Sequence, residues 1–370
     1  TRMRVTGGQH FLGGLAARCP RLLRWLARRE SQWLADGVGL PDPGRPIFIT
    51  GLARAGTTIL LEKLARHPAT ASHRYRDFPF PQIPLMWNWF LARAGNADAA
   101  PQERAHGDRL MVTANSPEAM EEPLWTSYFA WLHDPARDQR FAVDARYPAF
   151  EAAYRAHMSK IIHLRGGDRY LAKNNYLLAR LAYLLARFPD ARVVVPVRAP
   201  VDHIASLMRQ QARFIEAAAA DPRTAAYMRH SRHFEFGRDR RPLHMGEAAE
   251  TAEIISAWRA GEEVAGWARY WAEVHRHLLA EVTRENAAAG RILLVDYDEL
   301  CAAPEAGLTR IFAHCELPVT GEQIADLAAD LAAGDYYAQT FDVQESAIIT
   351  DQTAALYRNL IDLAATQARA

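Results

Sequence analysis

The apolar positions of this chain follow two periods, one helical and one strand-like. Between residues 9 and 35, Phe11, Leu12, Leu15, Leu22, Leu23 and Leu26 recur at helical spacing against Arg18, Arg21, Arg24 and Arg28. This predicts an amphipathic helix packed on the edge of the domain; the same pattern also suits a membrane surface. The turn cluster PDPGRP (41–46) closes that region. Residues 46–50 form a short apolar run that reads as a buried strand, and residues 57–66 read as a helix ending before Pro68. Residues 76–165 carry helical patterns broken by prolines. Residues 170–174 read as a short strand, and 177–188 as an amphipathic helix closed by Pro189. RVVVPV (192–197) has the valine-rich character of a strand buried in a parallel sheet. Its Pro196 suggests that the strand ends there. A helix follows from about residue 201, and residues 216–285 stay helical. RILLV (291–295) is another strand, followed by helices near 304–315 and 321–333.

Strands alternating with helices predict an α/β fold: a central parallel sheet flanked by helices. The stretches at 76–165 and 216–285 are then helical insertions. No internal repeat or low-complexity linker divides the 370 residues, so a single domain is expected, with an N-terminal helical segment (1–40) and a C-terminal tail (341–370) that carries no motif.

Composition narrows the function classes. A formal net charge of +1 argues against broad nucleic-acid binding. No apolar run is long enough for a transmembrane helix, and the N-terminus lacks the apolar stretch of a signal peptide. Cys19, Cys301 and Cys315 form no C-x-x-C pair, which points to a reducing, cytoplasmic setting. No metal-ligand spacing is present, so no metal is expected. Arginine is the default cation: only Lys63, Lys160 and Lys173 are lysine, so an unusually placed lysine is informative.

The chemistry concentrates in FITGLARAGTT (48–58). A Walker A loop reads G-x-x-x-x-G-K-[ST]. Here Gly51 and Gly56 keep the glycine spacing, but Thr57 replaces the lysine and Arg54 stands inside the loop. Strand, glycine loop and helix still present backbone N–H groups to an anion. Without the lysine, ordinary ATP hydrolysis is disfavoured. Arg198 follows the RVVVPV strand, at the edge where parallel sheets bind ligands, and Ser206 lies eight residues on.

Together these residues resemble the sulfotransferases that use 3′-phosphoadenosine 5′-phosphosulfate (PAPS), bacterial members in particular. The loop is similar to that family's 5′-phosphosulfate loop, and Arg198 to Ser206 to its 3′-phosphate site. LAKNNYLLARLAYLLARFPDARVVVPVRAP (171–200) resembles the run of lysine, helix, strand and R-x-P. LLVDYDEL (293–300) resembles a late Y-E-D-L segment. The resemblance implies a P-loop-NTPase-like sulfotransferase fold. It also implies PAPS as co-substrate and transfer of a sulfuryl group to a hydroxyl of a glycan or lipid-like small molecule. Ala53, Arg54, Ala55, Gly56, Thr57 and Thr58 would hold the 5′-phosphosulfate, with Arg54 at the leaving oxygen. Arg198 and Ser206 would hold the 3′-phosphate, and Tyr297 would approach the nucleotide. Lys173 would contact the transferring sulfuryl oxygens.

The acceptor hydroxyl needs a general base. HRYRDFPFP (73–81) offers His73 and Asp77, of which Asp77 is favoured; Tyr75 stands near the position where some relatives carry a glutamate. NSPEAMEEPLW (115–125) offers Glu118, Glu121 and Glu122. Ser116 and Pro117 read as N-cap and first helical residue, which makes Glu118 a dipole-facing carboxylate and leaves Glu122, one turn on, as the better base. His106 is a weaker candidate. The nine tryptophans lie outside the strands, and seven sit in the helical stretches, where they suit either an acceptor pocket or those helices' own core. Two other readings stay open. A P-loop kinase or NTPase would use RILLVD, ending at Asp296, as a Walker B strand. A non-catalytic nucleotide-binding protein would not need Arg54 and Lys173 together.

Overall fold

The computed structural model describes residues 7–94, 102–103, 111–331 and 341–369. Five parallel strands form the centre: β1 (Ile47–Ile49), β2 (Thr70–Ala71), β5 (Arg169–Lys173), β6 (Arg192–Val197) and β7 (Ile292–Asp296), in the order β2-β5-β1-β6-β7. Two short strands, β3 (Gln102–Glu103) and β4 (Met111–Val112), pair with each other outside this sheet. β1 is central, in register with β5 (Ile49 beside Lys173) and β6 (Ile49 beside Val194).

Side-chain alternation along the strands sorts two apolar layers. Phe48, Ala172, Val193 and Val195 face one layer, closed by α6 (Pro148–Arg165), α7 (Leu181–Arg187), α8 (Pro200–Ala220), α11 (Glu263–Ala288) and α15 (Val343–Arg369). Ile47, Ile49, Leu171, Val194 and Val295 face the other, closed by α3 (Thr57–Ala65), α12 (Tyr297–Ala302), α13 (Pro304–His314) and α14 (Gly321–Ala328).

Several expectations change. The N-terminal pattern forms two helices, α1 (Gly7–Arg18) and α2 (Pro20–Gly37), because Pro20 cannot continue the first and opens the second. Pro196 lies inside β6. Val194 accepts from the Thr50 N–H, so the edge of residue 196 faces the same way, past the end of β1, where the chain has turned into the loop and no ladder bond is lost. The helix expected over 177–188 is a 3₁₀ helix (Asn175–Arg180) followed by α7. The end of the chain is a packed helix: Gln367 of α15 accepts from the Leu294 N–H and donates to the Ile292 carbonyl, which satisfies the β7 edge. α6 and α11, from the stretches read as helical insertions, contribute Met158, Ile161, Trp267, Trp271 and Val274 to the core on the sheet. The three remaining helices flanking these, α4 (Pro84–Arg93), α9 (Pro222–His230) and α10 (Ala248–Ala260), with the short α5 (Glu122–Tyr128), complete the helices described. No described helix is long and apolar enough to cross a membrane.

Candidate active site

The loop leaves the C-terminal end of β1 and enters α3 at Thr57. Arg54 (φ 72°) and Gly56 (φ 105°) hold left-handed conformations. For Arg54 this costs on the order of 1 kcal/mol, strain of the kind that gathers at ligand sites. At Gly56 a side chain is excluded outright: the Tyr297 ring lies 2.4 Å from where a Cβ would stand. No side chain caps α3 and no acid sits in its first turn, so its N–H groups face the loop's concavity with positive dipole character.

Two side chains of α8, Ser206 and His203, hold the loop. Arg54 Nε donates to Ser206 Oγ of α8 at 3.2 Å. The two residues expected at opposite ends of a nucleotide thus meet directly. His203, one turn earlier on α8 and fully buried, accepts from Trp271 Nε1 at Nδ1 (3.1 Å). Its proton therefore sits on Nε2 and is donated to the Ala53 carbonyl at 2.8 Å. Burial, with help from His275, holds His203 well below its usual pKa, so the ring stays neutral. Nothing in the sequence reading singled out His203, because its partners are 68 and 150 residues away.

The neighbouring strand ends add charge. Arg198 follows β6, buried, with its guanidinium carbon 5.9 Å from the Tyr297 ring centre. Lys173 ends β5 and is 6% exposed. The other two lysines have structural ion pairs, Lys63 with Asp330 and Lys160 with Glu30. Next to Lys173, Asn175 ties three segments: its Oδ1 accepts from Thr57 Oγ1 (3.3 Å), its carbonyl accepts from Thr50 Oγ1 (3.3 Å), and its Nδ2 donates to Glu235 Oε1 (2.8 Å). Thr57's hydroxyl proton is therefore committed to Asn175.

Glu235 and His233 form a dyad that the sequence reading missed. His233 Nδ1 lies 3.0 Å from Glu235 Oε2. Burial pushes the Glu235 carboxyl up, but the His233 hydrogen bond and charge, with the Lys173 charge, outweigh it and hold the group at about 2. The Glu235 carboxylate engages Nδ1 and so fixes the orientation of the ring, and Nε2 has no hydrogen-bond partner among the described residues.

The carboxylates expected as bases have other work. Asp77, in a 3₁₀ turn (Tyr75–Asp77), is fully buried and accepts from Arg165 (2.6 and 2.7 Å), Asn88 (2.9 Å) and the Arg74 N–H (2.9 Å), beside His73 Nδ1 (3.1 Å). Burial raises its pKa, and His73 and Arg165 pull harder, leaving it well below the usual range. His73 in turn faces His157, Nε2 to Nε2, at 2.8 Å. Glu122 is gripped by both Arg180 nitrogens (2.9 and 2.7 Å), His133 (2.7 Å) and Asn174 (2.8 Å). Burial likewise raises it and Arg180 and His133 lower it further, to well below the usual range. Carboxylates with every oxygen engaged hold the fold and have no lone pair directed at a substrate.

The expected helix start at Ser116 is also absent. Ser116 Oγ accepts from the Thr113 N–H, Pro117 bridges Arg74, and the helix begins at Glu122. Glu118 and Glu122 therefore do not share a helical face. Glu121 accepts from Tyr154 (2.6 Å) and Tyr170 (2.8 Å), and burial pushes it up to about 7. Asp296 Oδ1 accepts from the Asp298 and Glu299 N–H groups as the cap of α12, so the Walker B look belongs to a helix start. His106 lies outside the described residues. Among the tryptophans, Trp125, Trp267 and Trp271 are core residues. Among the described residues no group of three or more metal-ligating side chains converges. Among the described residues, a cleft of about 760 Å³ along α2 and one of about 770 Å³ between Trp33, α4 and the end of α6 include no loop residue.

The chain matches a family model described as "Sulfotransferase family" over residues 46–242. Among solved structures it is similar to the sulfotransferase STF1 from Mycobacterium tuberculosis H37Rv: 16% identity, covering 92% of this chain and 83% of that one, TM-score 0.48. Values for the sulfotransferase STF9 from Mycobacterium avium are 17%, 92%, 82% and 0.49. For a sulfotransferase from Alicyclobacillus acidocaldarius they are 15%, 88%, 100% and 0.41. No curated protein matches the chain. The family match takes in more than half the sequence, from β1 through the loop, Lys173, Arg198 and Glu235, and on that match this chain belongs to the sulfotransferase family.

Proposed function

We propose that this protein transfers a sulfuryl group from PAPS to a hydroxyl of a small-molecule acceptor, glycan or lipid-like. The observation that carries this is the loop itself. It keeps glycine, left-handed turn and uncapped helix start, lacks the Walker lysine, and fixes Arg54 on Ser206 beside the Lys173 strand end. A donor with no γ-phosphate suits that arrangement. Gly56 and the α3 N–H groups, with the Thr58 hydroxyl, would receive the 5′-phosphosulfate; Arg198 would receive the 3′-phosphate, with Tyr297 against the loop.

Transfer is an in-line displacement. The acceptor oxygen forms a bond to sulfur as the bond from sulfur to the bridging oxygen breaks, and the bisphosphate leaves with the electron pair. Arg54 and Lys173 would stabilise charge on the bridging and equatorial oxygens. The acceptor's proton needs a destination, and His233 Nε2, oriented by Glu235, is the base we assign in place of Asp77 and Glu122.

Calorimetric titration with adenosine 3′,5′-bisphosphate tests the reading. Binding that is indifferent to magnesium and weakened about tenfold to a hundredfold by Arg198→Ala is expected, as for loss of a charge-assisted contact. Preference for ATP with magnesium would overturn it in favour of a kinase or NTPase.

A further inference from the structure

Ten of the thirteen large apolar side chains exposed among the described residues fall in two short stretches, 11–40 and 86–90. Scattered apolar exposure is ordinary; such clustering marks an interaction face. On α2, Leu22, Trp25, Arg29 and Trp33 recur at i, i+3, i+7 and i+11 and so share one side of the helix. Trp33 is 67% exposed and shares an open hollow of about 770 Å³ with Met86, Trp89 and Phe90 of α4. The two helices are fixed to each other from beneath. Glu30 of α2 accepts from the Met86 N–H (2.6 Å) and pairs with buried Lys160 of α6 (2.8 Å).

The charge on this face is predominantly positive, with exposed Asp36, one turn beyond Trp33, as an acid on the same stripe. Between residues 7 and 40 five arginines stand against two acids, and one of those, Glu30, is spent on Lys160. Two cations lie directly on the exposed rings: Arg29 is 5.5 Å from the Trp25 ring centre and Arg93 is 3.9 Å from that of Trp89. Arg21, Arg24 and Arg28, at i, i+3 and i+7, form the adjoining row along a cleft of about 760 Å³ against α6. Exposed tryptophans flanked by an arginine row are the chemistry of a helix lying in a lipid interface, with rings at headgroup depth and guanidinium groups on lipid phosphates. A second copy of this chain would instead bring arginine against arginine.

We infer that α2 and α4 dock this protein on the surface of an anionic lipid bilayer, through Trp25, Trp33 and Trp89 with the Arg21, Arg24 and Arg28 row. The inference is independent of the active-site reading, and its test reads no activity. Full-length protein is sedimented with vesicles of phosphatidylcholine alone and of phosphatidylcholine with phosphatidylglycerol at roughly 2:1. Wild type should partition onto the anionic vesicles and lose that binding at high salt. Trp25→Ser/Trp33→Ser/Trp89→Ser should lose at least about tenfold in partitioning. Arg21→Glu/Arg28→Glu should lose at least about 25-fold, at about fivefold per arginine. Thermal melts show whether each variant folds, and these positions are on the surface. Failure of wild type to bind anionic vesicles overturns the inference. So does equal binding by wild type and a folded variant. A wild-type dimer in light scattering that the tryptophan variant loses would also overturn it, because the face would then be covered by a second copy.

Discussion

His203 and His233 show what a single ring does once both nitrogens are accounted for. In His203 both are consumed by partners inside the protein, and the residue holds the loop carbonyl of Ala53 in place. In His233, among the described residues, Nδ1 alone is anchored, on Glu235, which also feels the Lys173 charge. The difference predicts different phenotypes. His233→Ala should lower kcat by about 10²–10⁴, the usual worth of a positioned base, while bisphosphate affinity stays within about twofold. Measured separately by steady-state kinetics and calorimetry, a loss of affinity with unchanged kcat would remove His233 from the chemistry. The buried Asp77 and Glu122 clusters sit at the other extreme. Each bonds to arginine and histidine at once, and breaking either pair would cost about 3–5 kcal/mol of stability.

At the scale of elements, the corner between β1, its loop and α3 depends on a helix from far along the chain. Tyr297 opens α12 and lies against Gly56, which is why the second loop position tolerates no side chain. Gly56→Ala meets two obstacles, a left-handed φ of 105° and a ring 2.4 Å from the new methyl. Relief requires the loop or Tyr297 to move. Bisphosphate affinity in calorimetry should fall about fivefold to thirtyfold, the equivalent of a backbone cost of about 1–2 kcal/mol. Unchanged affinity would show that the loop does not bind the nucleotide. The short 3₁₀ segment after β5 serves the same corner: its tight turns bring Asn175 to Thr57 and Arg180 to Glu122 within six residues.

Across the whole molecule, the layers bury ionisable groups whose titration is part of folding. Glu121 is held at about 7 by burial, against an ordinary value of 4.5. Between those two values the unfolded chain has lost this proton and the folded chain keeps it. Stability from this group is therefore complete below about pH 4.5 and is lost as pH rises toward 7. The total is on the order of 3 kcal/mol. Buried neutral histidines such as His203 act in the opposite direction, so the difference between wild type and Glu121→Gln isolates the effect. Urea unfolding at pH 5 and pH 8 should show the glutamine variant gaining on wild type by about that amount at the higher pH. A difference that does not move between the two pH values would mean Glu121 is ionised in the fold.

What the sequence by itself determined was local. Strand periodicity, the glycine spacing of 51 and 56 and the turn residues around them depend on neighbours within a few positions. All five sheet strands but β2 were legible, as were the loop and the placement of Lys173 and Arg198 at strand ends. A two-residue strand such as β2 has no periodicity to detect. The roles of the carboxylates were not local. Asp77 and Glu122 look available until Arg165, His73, Arg180 and His133 are packed around them. Glu235 and His233 look ordinary until the fold brings them to Asn175 and Lys173, 60 residues upstream. Periodicity reports which face of an element is buried. Only the packed structure decides which buried polar group meets which partner, because a desolvated charge is bound by whatever distant side chain the fold delivers to it.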